Sequence, residues 1–216
     1  MKKIDHYLSQ FKNPSRYTLK KYNDDQFTAI RAAYCQMAKN TLESWEDKNP
    51  DFTDKIVYYC MQSDKFKGDL SKGLLLMGST GTGKTVTLKT ISLLLGYMNT
   101  FRFKIYTGRE MEKISLSQSN EGMTKHYLEE GLKAKMFGMD DIGEEHSTVK
   151  VYGTDINVGV EALTDRYLKF VDKGYLTFAT TNLNAPMFAA KYGARIESRI
   201  HEMFNMIGVT GKDLRK

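Results

Sequence analysis

Residues 78–85 read Gly-Ser-Thr-Gly-Thr-Gly-Lys-Thr and match G-x-x-x-x-G-K-[ST] without a mismatch. The pattern describes a backbone that wraps around a polyphosphate with its N–H groups turned inward. Glycine allows the wrap because it lacks the Cβ that would clash in unusual backbone conformations. Gly78, Ser79, Thr80, Gly81, Thr82 and Gly83 would form the cradle. Lys84 would reach the β- and γ-phosphates, and the Thr85 hydroxyl would hold Mg²⁺. The context suits this. Leu74-Leu75-Leu76-Met77 supplies a buried strand before the loop, and residues 86–96 supply a helix after it. The positive end of that helix would face the anion.

From Lys72 onward the pattern becomes strand, loop, helix, repeated. Short apolar runs at 73–77, 101–106, 135–139, 175–180 and 206–209 predict strands, and 85–97 and 158–171 predict helices. Strands alternating with helices predict an α/β fold with a parallel sheet covered on both faces. Ligands in such sheets bind beyond the carboxyl ends of the strands. Ahead of this unit, Ile30, Ala33, Tyr34, Met37, Leu42 and Trp45 recur at helical spacing and predict a helix over 26–46. A second helix is expected through Ile56, Val57, Tyr59 and Cys60, after a break at Asn49-Pro50-Asp51. Residues 1–25 are polar, with turn signals at Asn13-Pro14-Ser15 and Asn23-Asp24-Asp25, and are expected to be loosely ordered.

Three further stretches carry chemistry. Met136-Phe137-Gly138-Met139-Asp140-Asp141 is an apolar strand ending in two acids. Asp140, at the strand end, suits a magnesium ion reached through bound water. Asp141 suits the activation of an attacking water, because side-chain direction changes as the strand turns. The strand 175–180 leads into Thr180-Thr181-Asn182, and the Asn182 amide could contact a γ-phosphate or that water; by itself it would also serve as a cap or turn residue. Arg195 and Arg199 lie four residues apart, on one face of a predicted helix, and Arg215 follows near the end. Each could donate to a phosphate. The bland alternative is a surface ion pair with Glu197 or Glu202.

Composition narrows the class. The chain has 216 residues, with 41% hydrophobic and 27% charged residues, which suits one soluble globular α/β domain with a short extension. No apolar run is long enough to span a bilayer and none follows Met1-Lys2-Lys3, so a cytoplasmic protein without a signal peptide is expected. Cys35 and Cys60 are expected as packing residues, and the scattered His6, His126, His146 and His201 offer no metal site or triad. Lys2, Lys3, Lys12, Arg16, Lys20 and Lys21 stand against Asp5 alone in residues 1–21. Such an arm suits phosphate backbones, an acidic protein partner, or plain solvation.

The succession GSTGTGKT, FGMDDIGEE, TTNLN, YGARIESRIHEM and GKDLRK resembles the DnaC-type helicase loaders and the related IstB-type transposition helpers, over roughly residues 70–216. Those proteins are AAA+ ATPases. The resemblance implies a P-loop NTPase core, placed at 51–216; it adds little to residues 1–50, which are expected from their charge and helical spacing to form a basic, helical, partner-binding extension. It implies ATP and Mg²⁺ as ligands and a nucleotide-dependent homo-oligomer. It makes Asn182 the sensor-1 residue, Arg199 (less readily Arg195) the arginine finger acting on a neighbouring subunit, and Arg215 the sensor-2 arginine. With the chain ending at Lys216, no C-terminal helical lid is expected. Single-stranded DNA contact is expected over 107–133, where Lys113, Lys125 and Lys133 are available but Tyr127 is the only aromatic residue.

The function implied is an ATPase of DNA replication that loads a replicative helicase onto single-stranded DNA. A transposition helper acting with a transposase would use the same ATPase on duplex DNA. An adaptor that binds ATP with little hydrolysis would keep the same motifs. A small-molecule nucleotide kinase would share the phosphate loop, but no acceptor pocket or arginine-rich lid is evident, and Asp140-Asp141 favours water activation.

Overall fold

A computed structural model of the chain describes residues 16–99, 102–117, 134–145, 149–151 and 154–211. Helix α1 (Phe27–Thr41) and helix α2 (Pro50–Cys60) come first, followed by strand β1 (Gly73–Met77) and helix α3 (Lys84–Asn99). Strand β2 (Ile105–Thr107) runs directly into helix α4 (Gly108–Ser117). Next come strand β3 (Met136–Ile142), a small antiparallel hairpin of β4 (Val149–Val151) and β5 (Thr154–Ile156), and helix α5 (Val158–Lys173). Strand β6 (Leu176–Thr181), helices α6 (Ala185–Tyr192) and α7 (Ala194–Met203), and strand β7 (Phe204–Gly208) complete the described chain.

Five strands pair in the order β2-β3-β6-β1-β7, and every pairing is parallel. This is the parallel sheet expected from the alternating pattern. Its strands are apolar on both sides because helices cover both faces. Leu74 and Leu76 of β1 and Phe178 of β6 enter one core with Ile30, Tyr34, Ile56 and Leu88. Leu75, Phe137, Met139 and Ala179 enter the other with Ala162, Leu163, Ile196 and Ile200. Successive strand residues thus feed opposite layers, as a two-residue repeat requires.

Local capping sets several helix starts. Asn49 accepts from the Phe52 N–H at 3.1 Å ahead of Pro50, and Asn157 and Asn184 accept from Val160 and Met187 in the same way. Helix α5 stops at Gly174, whose φ of 68° suits glycine. Arg166 of α5 is fully buried and pins two strand entries. It donates to the carbonyls of Ala134 and Leu176, each at 2.8 Å, and to the Thr177 hydroxyl at 2.9 Å. Burial lowers its pKa to about 10.

Three expectations need correction. The first helix ends at Thr41, not near Glu46, because Leu42 turns extended at φ −144°. The following loop is held instead by its own contacts: Trp45 packs edge-on against Tyr34 at 6.4 Å, and Arg31 binds both Asp47 and Asp54. The second strand is only three residues long, since Phe103, expected within it, is buried just before the pairing begins. Residues 16–25 are not loose. The Tyr17 N–H donates to the Lys173 carbonyl at 2.7 Å, the Tyr22 N–H to Met61 at 2.9 Å, and Leu19 is buried. The rest of the basic arm, 1–15, lies outside the described residues.

Candidate active site

Loop 78–83 joins β1 to α3 at the carboxyl edge of the sheet, so the loop reverses direction next to the ends of β3 and β6. Gly81 and Gly83 adopt φ of 84° and 89°, where a side chain would be strained. Lys84 opens α3, and its side chain curls back into the loop. Its ammonium donates to the Gly78 carbonyl at 2.9 Å, the Ser79 carbonyl at 2.8 Å and the Asn182 side-chain oxygen at 2.7 Å. The Thr82 hydroxyl closes the turn on the Ser79 carbonyl at 2.9 Å.

Asp140 and Asp141 sit in a β-bulge. Met139 pairs with Ala179 and Ile142 with Thr181, so both acids face the single residue Thr180. Asp140 is buried, and its carboxylate accepts from the Thr85 hydroxyl at 3.1 Å and the Thr180 hydroxyl at 2.6 Å. Asp141 takes φ 52°, uncommon for a residue with a side chain. Its N–H donates to the Thr180 oxygen at 2.8 Å. Thr180 therefore links the two acids, donating a hydrogen bond to one and accepting a hydrogen bond from the backbone N–H of the other. The bulge turns the Asp141 side chain out of the alternation that would otherwise bury it.

Thr80, Gly81, Lys84, Thr85, Asp140, Asp141 and Asn182 line one cleft of about 360 Å³. That volume lies within the range of small-molecule sites. A smaller pocket of about 80 Å³ lies across Gly83, walled by Trp45, Asn49, Phe52, Thr82 and Val209. Its walls from 45–49 belong to the stretch 1–50 that was expected to form an extension, while Phe52 falls within the expected core.

The group set fits a polyphosphate with a hard cation. The loop offers curved backbone and a cation, while Thr85 and Asp140 place two oxygen donors 3.1 Å apart. Mg²⁺ bound with nucleotide phosphates needs only one or two such protein oxygens. Among the described residues no three His, Cys, Asp or Glu side chains form a metal cluster.

The arginines lie elsewhere. The Arg199 guanidinium rests 5.0 Å over the Tyr167 ring and donates to the Thr164 hydroxyl at 3.1 Å, on the joined surface of α5 and α7. Arg195 is exposed in the first turn of α7. Neither lines the cleft. In place of the alternative ion pair with Glu197 or Glu202, Arg199 makes the Thr164 and Tyr167 contacts, and Tyr167 itself donates to Glu202 at 2.7 Å. Arg215 lies outside the described residues, as do Lys125, Tyr127 and Lys133. Lys113 is exposed on α4.

Two functional candidates had no signal of their own in the sequence. One is Thr180, whose role depends on which residue lies across the sheet. The other is Glu145, within the quoted stretch FGMDDIGEE but with a side chain only 1% exposed. It accepts from the Gly143 N–H at 2.9 Å and from the Tyr192 hydroxyl, while Lys191 donates to its backbone carbonyl at 2.7 Å. Burial, then the Glu145 charge, pushes the Tyr192 phenol well up. Its neighbour Glu144 accepts from the Asn182 amide at 3.3 Å and pairs with Arg109 at 3.7 Å. The segment after the acids is thereby tied to both α6 and Asn182.

No family model matches the chain, and no curated protein matches it in sequence. Solved structures do match in fold. The DnaC helicase loader aligns with a TM-score of 0.62 at 18% identity, covering 80% of this chain and 99% of that one. DnaI aligns at 0.59 and 22% identity, covering 81% of this chain and 93% of that one. The replication initiator DnaA bound to AMPPCP and single-stranded DNA aligns at 0.57 and 11% identity; it covers 79% of this chain but 49% of its own. The chain shares the fold of the DnaC helicase loader and of DnaI, so the resemblance read from the motifs extends to the three-dimensional architecture.

Proposed function

We propose that the chain binds ATP with Mg²⁺ in the cleft beside loop 78–83 and hydrolyses it in the service of DNA replication. One observation carries the reading: Lys84, Thr85, Asp140, Asp141 and Asn182, far apart in sequence, converge on that single cleft. The loop N–H groups and Lys84 bind the phosphates, and Thr85 and Asp140 hold the metal, which neutralises phosphate charge. Asp141 takes the proton of the attacking water, turned toward it by the bulge. Asn182 orients the γ-phosphate or that water. The pocket walled by Trp45, Phe52 and Val209 lies next to Gly83 and suits an aromatic base.

Arg199 and Arg195 lie off the cleft, which supports their use on the nucleotide of a neighbouring copy, with Arg215 as a further phosphate contact. A head-to-tail assembly of that kind makes rings or open spirals. The loader role, with a replicative helicase as partner and single-stranded DNA as target, is supported by the likeness to the DnaC helicase loader and to DnaI. Capture of the cognate helicase by the full chain, with and without ATP, tests it. Nucleotide-dependent capture is expected. Capture of a transposase in its place overturns the loader role and leaves the ATPase.

A further inference from the structure

The end of the sheet opposite the cleft carries a charge pattern that the ATPase reading does not use. Strands β6, β3 and β2 are neighbours, and each begins with cations: Lys173 before β6, Lys135 before β3, Arg102 and Lys104 before β2. Adjacent strands stand about 4.8 Å apart, so these entries form a row rather than a scatter. Segment 16–22 is strapped beneath them and adds Arg16 and Lys20.

The strap is fixed by specific bonds. Arg16 donates to the Phe170 carbonyl at 3.0 Å, Tyr17 N–H to Lys173, and Lys20 N–H to the Asn99 side chain at 3.0 Å. The Tyr22 hydroxyl binds the Met98 carbonyl. Arg16 and Lys20 are four residues apart, so they lie within about 14 Å of each other. All six cations are exposed. Segments 16–22, 102–104, 134–135 and 173–175 contain seven cations and no carboxylate. The seventh, Lys21, is paired with Asp64 at 2.9 Å, and the nearest acid in sequence is Asp172.

Aromatic rings alternate with the charges. The Lys135 ammonium lies 5.6 Å over Tyr17, Lys173 lies 5.6 Å over Tyr175, and Lys20 lies 4.9 Å over Tyr22. Tyr17 and Tyr175 meet edge-on at 6.4 Å. Each pair places an exposed, flexible cation over a half-exposed ring. A linear row of cations with rings between them matches a linear polyanion that also carries flat bases. An acidic protein surface would satisfy the charges but leave the ring spacing without a purpose.

We propose that this strand-entry face, with its 16–22 strap, is a sequence-independent binding surface for single-stranded nucleic acid. It is separate from the ATP cleft, which lies at the other end of the strands. The lysines leave their rings for backbone phosphates, and the uncovered tyrosines take bases.

The test is fluorescence anisotropy of labelled oligothymidylate with the full chain, across a salt titration. The compared proteins are wild type, the triple variant Lys20→Gln/Lys135→Gln/Lys173→Gln, and Lys113→Gln. All three substituted lysines are exposed, so a melting curve should match wild type. The triple variant is expected to bind about tenfold or more weakly, with its salt slope smaller by about 2, at about 0.7 per lost phosphate contact. The titration is run without nucleotide, which keeps this result separate from any failure of the ATPase reading. An unchanged affinity and slope overturns the proposal, as does a loss confined to Lys113→Gln. So does a triple variant that keeps the oligonucleotide but loses polyglutamate, since the surface would then serve an acidic protein.

Discussion

The Lys84 ammonium donates to the side-chain oxygen of Asn182 at 2.7 Å, across 98 residues of sequence. The same ammonium is held by the Gly78 and Ser79 carbonyls, so it must exchange partners to bind a phosphate. Asn182 is thus the resting partner of the lysine and, in the proposed ATP complex, a neighbour of the bond to be cleaved. Asn182→Ala is expected to leave nucleotide affinity within about threefold and to slow turnover about 100-fold, as loss of a transition-state contact does. Asn182→Asp is expected to weaken nucleotide binding, because a carboxylate would hold Lys84 in place. Titration of nucleotide beside steady-state turnover separates the two effects.

Thr180 supports the acids from the adjacent strand. Thr180→Val keeps the shape but removes a donor to Asp140 and an acceptor for the Asp141 N–H. We expect kcat to fall about tenfold with little change in KM, and stability to drop by about 2 kcal/mol. Thr180→Ser should restore both. Equal kcat for Val and Ser would show that the bulge stands without this link.

Glu145 holds the segment after the acids to α6. Glu145→Ala leaves the Gly143 N–H, the Tyr192 hydroxyl and Lys191 with lost or weakened partners in a buried setting. The expected cost is about 3 kcal/mol in urea unfolding. Glu145→Gln, which keeps the shape and one acceptor, should cost clearly less.

Alkaline pH should destabilise the fold in a defined window. Burial raises the Cys60 thiol and the Tyr34 and Tyr59 phenols above their ordinary values. An acid whose folded pKa is raised gives stability that is complete below its unfolded pKa and is lost as pH rises toward the folded one. Thermal midpoints should therefore hold below about pH 8.5, the thiol's unfolded value, and then fall, with the phenols adding from about pH 10. Each group contributes about 1.4 kcal/mol per pH unit once its unfolded form ionises. Cys60→Ala should make the fall between the thiol and phenol ranges shallower, leaving the contribution of Cys35, whose thiol is also raised by burial.

The sheet, the glycine loop and its helix were legible because each rests on local pattern. Residues 73–77 match β1 without a shift, since a continuous apolar run between turn signals has few other uses. Contacts between distant segments were not legible. Apolar spacing carried the first helix past Thr41, but Arg31, Asp47 and Trp45 hold that stretch as a loop. The strap at 16–22 looked like solvated coil because its bonds are made to backbone groups of Lys173, Met61 and Met98. The acids were visible as a pair, yet the bulge that separates their directions depends on the register with β6. Thr180 and Glu145 lie within the quoted stretches TTNLN and FGMDDIGEE, but only the fold gives them their partners.

The most direct test of the account is ATP turnover at high protein concentration with Mg²⁺ and single-stranded DNA, for wild type, Lys84→Ala, Asp141→Asn and Arg199→Ala. The account predicts turnover by wild type, loss of nucleotide binding in Lys84→Ala, and retained binding with at least about 100-fold slower turnover in Asp141→Asn. Arg199→Ala should bind nucleotide and turn over slowly. Wild-type rates from Asp141→Asn, or nucleotide binding unaffected by Lys84→Ala, would contradict the assignment of this cleft as an ATPase site.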